Sequence, residues 1–163
     1  MIENPLEIRG PSRLNAWAYL RWLRGQRFER SRDQLREYLR LATPLALTAE
    51  RLYREWRDVV SEPIQEPQKA ANASATYWWR ITEVLRSFRQ LAPPKMARKY
   101  HRLFDDALRD ASFGSELAKN GFRAGKTHDV SRGLGHLDSY VAAIGKAEAE
   151  LGRLLRKYRL TEG

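Results

Sequence analysis

Residues 31–63 read SRDQLREYLRLATPLALTAERLYREWRDVVSEP, and this stretch decides the fold. Apolar residues recur in it at Leu35, Tyr38, Leu39, Ala42, Leu45, Ala49, Leu52, Tyr53, Trp56, Val59 and Val60. Steps of three and four place them all on one stripe of an α-helix. Ser31 with Gln34 three residues on predicts a capping-box start, and Pro63 predicts a stop. Pro44 lies inside, where losing one backbone hydrogen bond costs about 3 kcal/mol in a regular helix. The stripe keeps its phase across Pro44, which predicts a kinked helix or two coaxial ones with Thr43 capping the second.

The same period continues downstream. Ala70, Ala73, Tyr77, Ile81, Val84, Leu85, Phe88 and Leu91 form a second stripe, ended by Pro93 and Pro94. A third holds Ala97, Tyr100, Phe104, Ala107, Leu108, Ala111, Leu117 and Ala118, with Asn120-Gly121 expected as a left-handed cap. A fourth opens near Thr127 and Asp129 and points Val130, Leu134, Leu137, Val141, Ile144, Leu151, Leu154, Leu155 and Tyr158 inward. No segment alternates with period two for long enough to compete as a strand. Four amphipathic helices on short turns bury their stripes on one another. The expected fold is therefore all-α, an up-down four-helix bundle with helices near 31–61, 69–91, 94–120 and 127–159. On the last helix Gly135, Ala142, Gly145, Ala149 and Gly152 make a small-residue stripe. Each mid-helix glycine costs about 1 kcal/mol relative to alanine, so close approach of a neighbouring helix is expected there.

Residues 1–30 differ in kind. Seven arginines and a single acid, Glu29, lie between Arg9 and Arg32. Ser12 is placed to cap a short helix running from Arg13 to Arg24 and broken at Gly25. Arg13, Trp17, Arg21 and Arg24 share one narrow stripe of it, and most of the remaining circumference is apolar. A helix that apolar needs a cover in water. We read this segment as an arm whose Trp17, Leu20, Trp22 and Leu23 dock on a protein partner or mediate self-association.

The chain has 163 residues, 30 Lys+Arg against 20 Asp+Glu, a net charge of +10 and no cysteine. One domain is the expectation, and disulfides, thiolate metal sites and cysteine nucleophiles are excluded. The longest uncharged run, Ala70 to Trp79, is half of what a transmembrane helix needs, about 20 residues. The opening MIENPLEIRG carries Glu3 and Glu7 where an export signal has basic and then apolar residues, so a cytoplasmic location is expected. Basic charge makes nucleic acid an alternative partner: Arg13, Arg21, Arg24 and Arg27 with Lys95, Arg98, Lys99 and Arg102 supply phosphate contacts, and Arg153, Arg156, Lys157 and Arg159 form a third cluster. A helix-turn-helix over 38–56 fits poorly, because Ala46 stands where the turn glycine belongs and Glu55 at a core position. Docking on an anionic membrane surface is a further alternative for an Arg/Trp helix.

Catalytic and cofactor patterns fail one by one. Gly125-Lys126-Thr127 ends like a P-loop, but Asn120 holds the position of its first glycine and no strand precedes it. Gly133-Leu134-Gly135 lacks a third glycine. His101 and Asp105 share a helix face, yet no Glu-x-x-His occurs for a di-iron bundle, and His101 between aromatic residues suits the core edge. Trp78 is expected to pack beside Ile81 and Leu85 while Trp79 covers an edge. Neither an enzyme nor a bound metal or cofactor is expected.

The order of features from Leu85 to Tyr158 is a helix ending in Leu91-Ala92-Pro93-Pro94, then Tyr100-His101, then Phe104 to Ala111, a polar turn with Asp129, and a long alanine-rich helix. It resembles helical-bundle domains of unknown function in bacterial surface lipoproteins, over about residues 31–159. The resemblance implies a bundle and a bacterial source, and it brings no active site.

Overall fold

A computed structural model of the chain describes residues 16–60 and 66–160. The described residues form four α-helices and one 3₁₀ turn, with no strand among them. The helices are α1 (Ala16–Val60), α2 (Pro67–Arg89), α3 (Arg98–Ala124) and α4 (Thr127–Lys157), and the turn Lys95–Ala97 leads into α3. Side-chain contacts fix the topology. Trp56 meets Ser74, Thr82 meets Ser112, Lys99 meets Glu150, and Phe28 meets Tyr158. Each helix therefore runs antiparallel to the one before it, and α4 returns beside α1. This is the up-down four-helix bundle that the stripes predict.

The core follows the stripes. Leu35, Ala42, Ala49 and Leu52 of α1, Ile81 and Phe88 of α2, Ala107, Leu108 and Ala111 of α3, and Leu137 and Leu154 of α4 are all buried. Phe88 anchors the middle, with Phe104 at 4.9 Å between ring centroids and the His101 ring stacked on it at 4.4 Å. Two inward expectations fail: Val59 and Val141 are exposed, and Tyr140 is the buried residue beside Val141.

Several helix ends differ from expectation. The break at Gly25 and the start at Ser31 are absent, because α1 is one helix of 45 residues. A single glycine costs about 1 kcal/mol, too little to interrupt flanks rich in arginine, leucine and glutamine. The helix also runs through Pro44, where the Thr48 hydroxyl donates to the Pro44 carbonyl at 2.8 Å. α3 ends at Gly125 with φ +64°, and the Lys126 N–H closes back on the Gly121 carbonyl at 2.9 Å. Gly121 cannot be the cap because it faces α4: a Cβ there would lie 2.6 Å from the Val130 nitrogen.

The close approach of α3 and α4 uses other glycines than the expected stripe. Cβ atoms added at Gly114 and Gly133 would come within 2.8 and 2.5 Å of each other's carbonyl oxygens. Gly135 and Gly145 have nothing within 4 Å, and Gly152 meets only the tip of Arg156. Arg13, the Ser12 cap and the Pro63 stop lie outside the described residues.

Candidate functional site

The first residue of α1 that packs on the core is Phe28, whose ring stacks on Tyr158 at 5.7 Å. From Trp17 to Phe28 the helix advances about 16 Å. The arm is thus a direct extension of α1 beyond the end of the bundle. Trp17 is 72% exposed, Leu20 44% and Tyr19 40%. Trp22 and Leu23 are half-buried, and Tyr19 stacks on Trp22 at 5.9 Å. Ring contacts one turn apart support the helix locally, and Trp17, Tyr19 and Leu20 stay exposed.

Charge surrounds this extension. Arg21, Arg24, Arg27 and Arg30 are exposed, and no ion pair ties them to an acid among the described residues. Glu29 is taken up by Arg32 at 3.7 Å, and Arg32 also donates to the Arg159 carbonyl at 3.3 Å. Arg24 and Gly25 border a surface depression together with Lys157 and Arg159.

The antiparallel topology brings the other basic clusters to the same end. The start of α3 and the end of α4 are neighbours, joined where Lys99 reaches the buried Glu150 at 3.2 Å. Arg153 binds the same carboxylate with two nitrogens, at 2.5 and 3.1 Å. Hydrogen bonds from Arg153 and then Lys99 hold Glu150 down to about 2, against burial that pushes it up. Lys99 is therefore tied into a structural ion pair, whereas Lys95, Arg98 and Arg102 are exposed with no acid partner among the described residues. Three basic clusters far apart in sequence lie at one end of the bundle, with Glu29, Asp33 and Glu37 of α1 interspersed among them. Each segment shows its charge in sequence; their convergence follows from the up-down path.

The other candidates are absorbed by packing. The Tyr38 hydroxyl lies 3.0 Å from His101 Nδ1, and burial lowers the histidine's pKa against the pull of Asp105. Asp105 itself is held by Arg89 through two bonds, at 2.7 and 3.1 Å. Lys119 sits 3.8 Å over the Trp78 ring, and Trp79 is exposed. No group of three His, Cys, Asp or Glu among the described residues is placed to hold a metal ion. No helix among them is long and apolar enough to cross a membrane.

A groove of about 300 Å³ opens between α1 and α4. Leu47, Tyr53, Tyr140 and Val141 line it, with Glu50 and Glu148 at its edges. The residue pattern carries no sign of it, because it arises where the stripes of α1 and α4 fail to close on each other over Tyr100 and Phe104 of α3.

Searches against known protein families, curated proteins and solved structures find no match.

Proposed function

We propose that the chain is a non-catalytic interaction module that docks on a negatively charged surface through the arm of α1. The observation that carries this reading is Trp17, largely exposed on a helix that outruns its own bundle, with Tyr19 and Leu20 exposed beside it. Apolar area of this kind gains roughly 25 cal/mol per Å² when covered. The arginines around it favour an anionic cover and oppose a second copy, which would bring the same charges face to face. His101, Asp105 and Glu150 are engaged in packing and ion pairs, which supports a binding role over a chemical one.

The test is the full-length double variant Trp17→Ser/Leu20→Ser beside the native chain. Both are titrated with duplex DNA, polyglutamate and anionic vesicles. The variant should match the native unfolding free energy within about 0.5 kcal/mol, since exposed side chains contribute little. It should also lose binding to whichever surface the native chain takes. Equal binding by both proteins, or binding to none of the three, refutes the proposal.

A further inference from the structure

We infer that the groove between α1 and α4 is a binding site for a small organic cation with an apolar body. The site lies on the flank of the bundle and stands apart from the docking role of the arm. Tyr53 of α1 and Tyr140 of α4 meet at 5.3 Å between ring centroids, and beside that pair a space of about 300 Å³ stays open. Its floor is Tyr100 and Phe104 of α3, both buried, and its lips are Leu47 and Val141, 60% and 48% exposed. Apolar side chains left in water at the rim of a concave space gain when a ligand covers them. The space has the size of a small-molecule pocket, which runs from about 300 Å³ upward. A protein partner needs about 800 Å² on each side, more than a space of this size presents.

Charge selects the ligand. Glu50 lines the space from α1 and Glu148 from α4, and no lysine or arginine among the described residues lines it. Glu50 pairs with Arg54 along its own helix, while Glu148 is exposed and has no ion pair among the described residues. Both carboxylates act on one phenol: burial pushes the Tyr140 hydroxyl above its ordinary value, and the fields of Tyr53, Glu50 and Glu148 push it the same way. Burial raises the Tyr100 hydroxyl to about 12, again with Glu148 adding to the rise. Aromatic rings attract a cation within about 6 Å of their centroids, and the glutamates strengthen that pull. An anion would meet the two carboxylates with no basic lining residue to offset them. The net charge of +10 disfavours cations at long range, yet salt screens that field over about 8 Å, so the lining decides.

Titration of the full chain with benzyltrimethylammonium, followed through the methyl NMR signals of Leu47, Val141, Ile144 and Leu151, tests this. Those signals should shift and saturate at low-millimolar concentration, the usual reach of a ligand of about ten heavy atoms. Phenylacetate should bind at least about tenfold more weakly, with neutral benzyl alcohol between the two. Glu148→Gln should weaken the cation about two- to fivefold and leave benzyl alcohol unchanged. Ala46→Leu, which fills the space, should abolish the shifts in a folded chain. If that variant fails to fold, Glu148→Gln, at an exposed position, decides alone. Equal affinity for phenylacetate and the cation, equal cation binding by the native chain and Glu148→Gln, or cation binding retained in Ala46→Leu overturns the site. Absence of shifts at the four residues with the cation overturns it too. A doubled mass in light scattering that Ala46→Leu halves would put a second copy in the groove and overturns it as well.

Discussion

The indole Nε1 of Trp56 donates a 3.0 Å hydrogen bond to the hydroxyl of Ser74, and both side chains are buried where α1 meets α2. Tyr77 stacks on the same indole at 5.5 Å between centroids, so no water replaces a lost partner easily. Ser74→Ala strands a buried N–H and should lower the unfolding free energy by about 1–3 kcal/mol. Urea unfolding measures this, with an unchanged slope showing that both states keep their compactness. A loss below about 0.5 kcal/mol would mean that this bond does not fasten the two helices.

That pair also marks what a sequence displays and what it hides. Ala70, Ser74, Tyr77 and Ile81 step by four, three and four, so Ser74 stands in phase with an apolar stripe. Glu150 does the same between Ala147 and Leu154. A polar residue in a buried register is a legible sign of an internal bond, although its partner lies on another helix and is not. The four helices were readable because burial imposes a period. Their ends were less so, since Gly25, Ser31 and Gly121 offer local signals that packing and helix continuity override. The basic end was readable in principle. In an up-down bundle the start of α1, the start of α3 and the end of α4 must share one end.

Two glycines two residues apart on α4 should respond oppositely to a methyl group. A Cβ at Gly133 would lie 2.5 Å from the Gly114 carbonyl oxygen and 2.6 Å from the Ala118 nitrogen, which are backbone atoms that cannot step aside. Gly133→Ala should therefore push α3 and α4 apart and cost about 1–3 kcal/mol. Gly135 has nothing within 4 Å, so Gly135→Ala should gain up to about 1 kcal/mol through helix propensity. Gly25→Ala, equally unobstructed, should gain similarly and stiffen the root of the arm. Thermal unfolding of the three variants gives the signs, and destabilisation by Gly135→Ala would contradict the open space at that position.

Acid should loosen the α3–α4 contact through Glu150. Its carboxyl is held at about 2 by Arg153 and Lys99, against an ordinary value of 4.5. Between these values the unfolded chain takes up the proton and the folded one does not, so stability rises with pH across that window. The contribution is complete above about pH 4.5 and is lost as pH falls toward 2. Glu150→Gln keeps the shape, removes the charge, and should cost about 1–2 kcal/mol at pH 7. The variant's unfolding midpoint should then fall less steeply than the native one between pH 4.5 and 2. Parallel curves for the two proteins would show that the carboxylate is not the group responding.

The groove between α1 and α4 should accept a larger side chain at its margin. Tyr53 and Tyr140 meet at 5.3 Å between ring centroids, while the neighbouring Ala46 is half-buried and borders the space of about 300 Å³. Ala46→Leu adds apolar volume facing Leu47, Val141 and Ile144 without displacing a buried atom. It should raise the unfolding free energy by about 0.5–2 kcal/mol, the usual return for filling an apolar gap. It should also reduce binding of a hydrophobic dye, if dye enters that groove in the native chain. Unchanged stability with unchanged dye binding would place the leucine in solvent, and α1 and α4 would then be joined through the tyrosine pair alone at this level of the bundle.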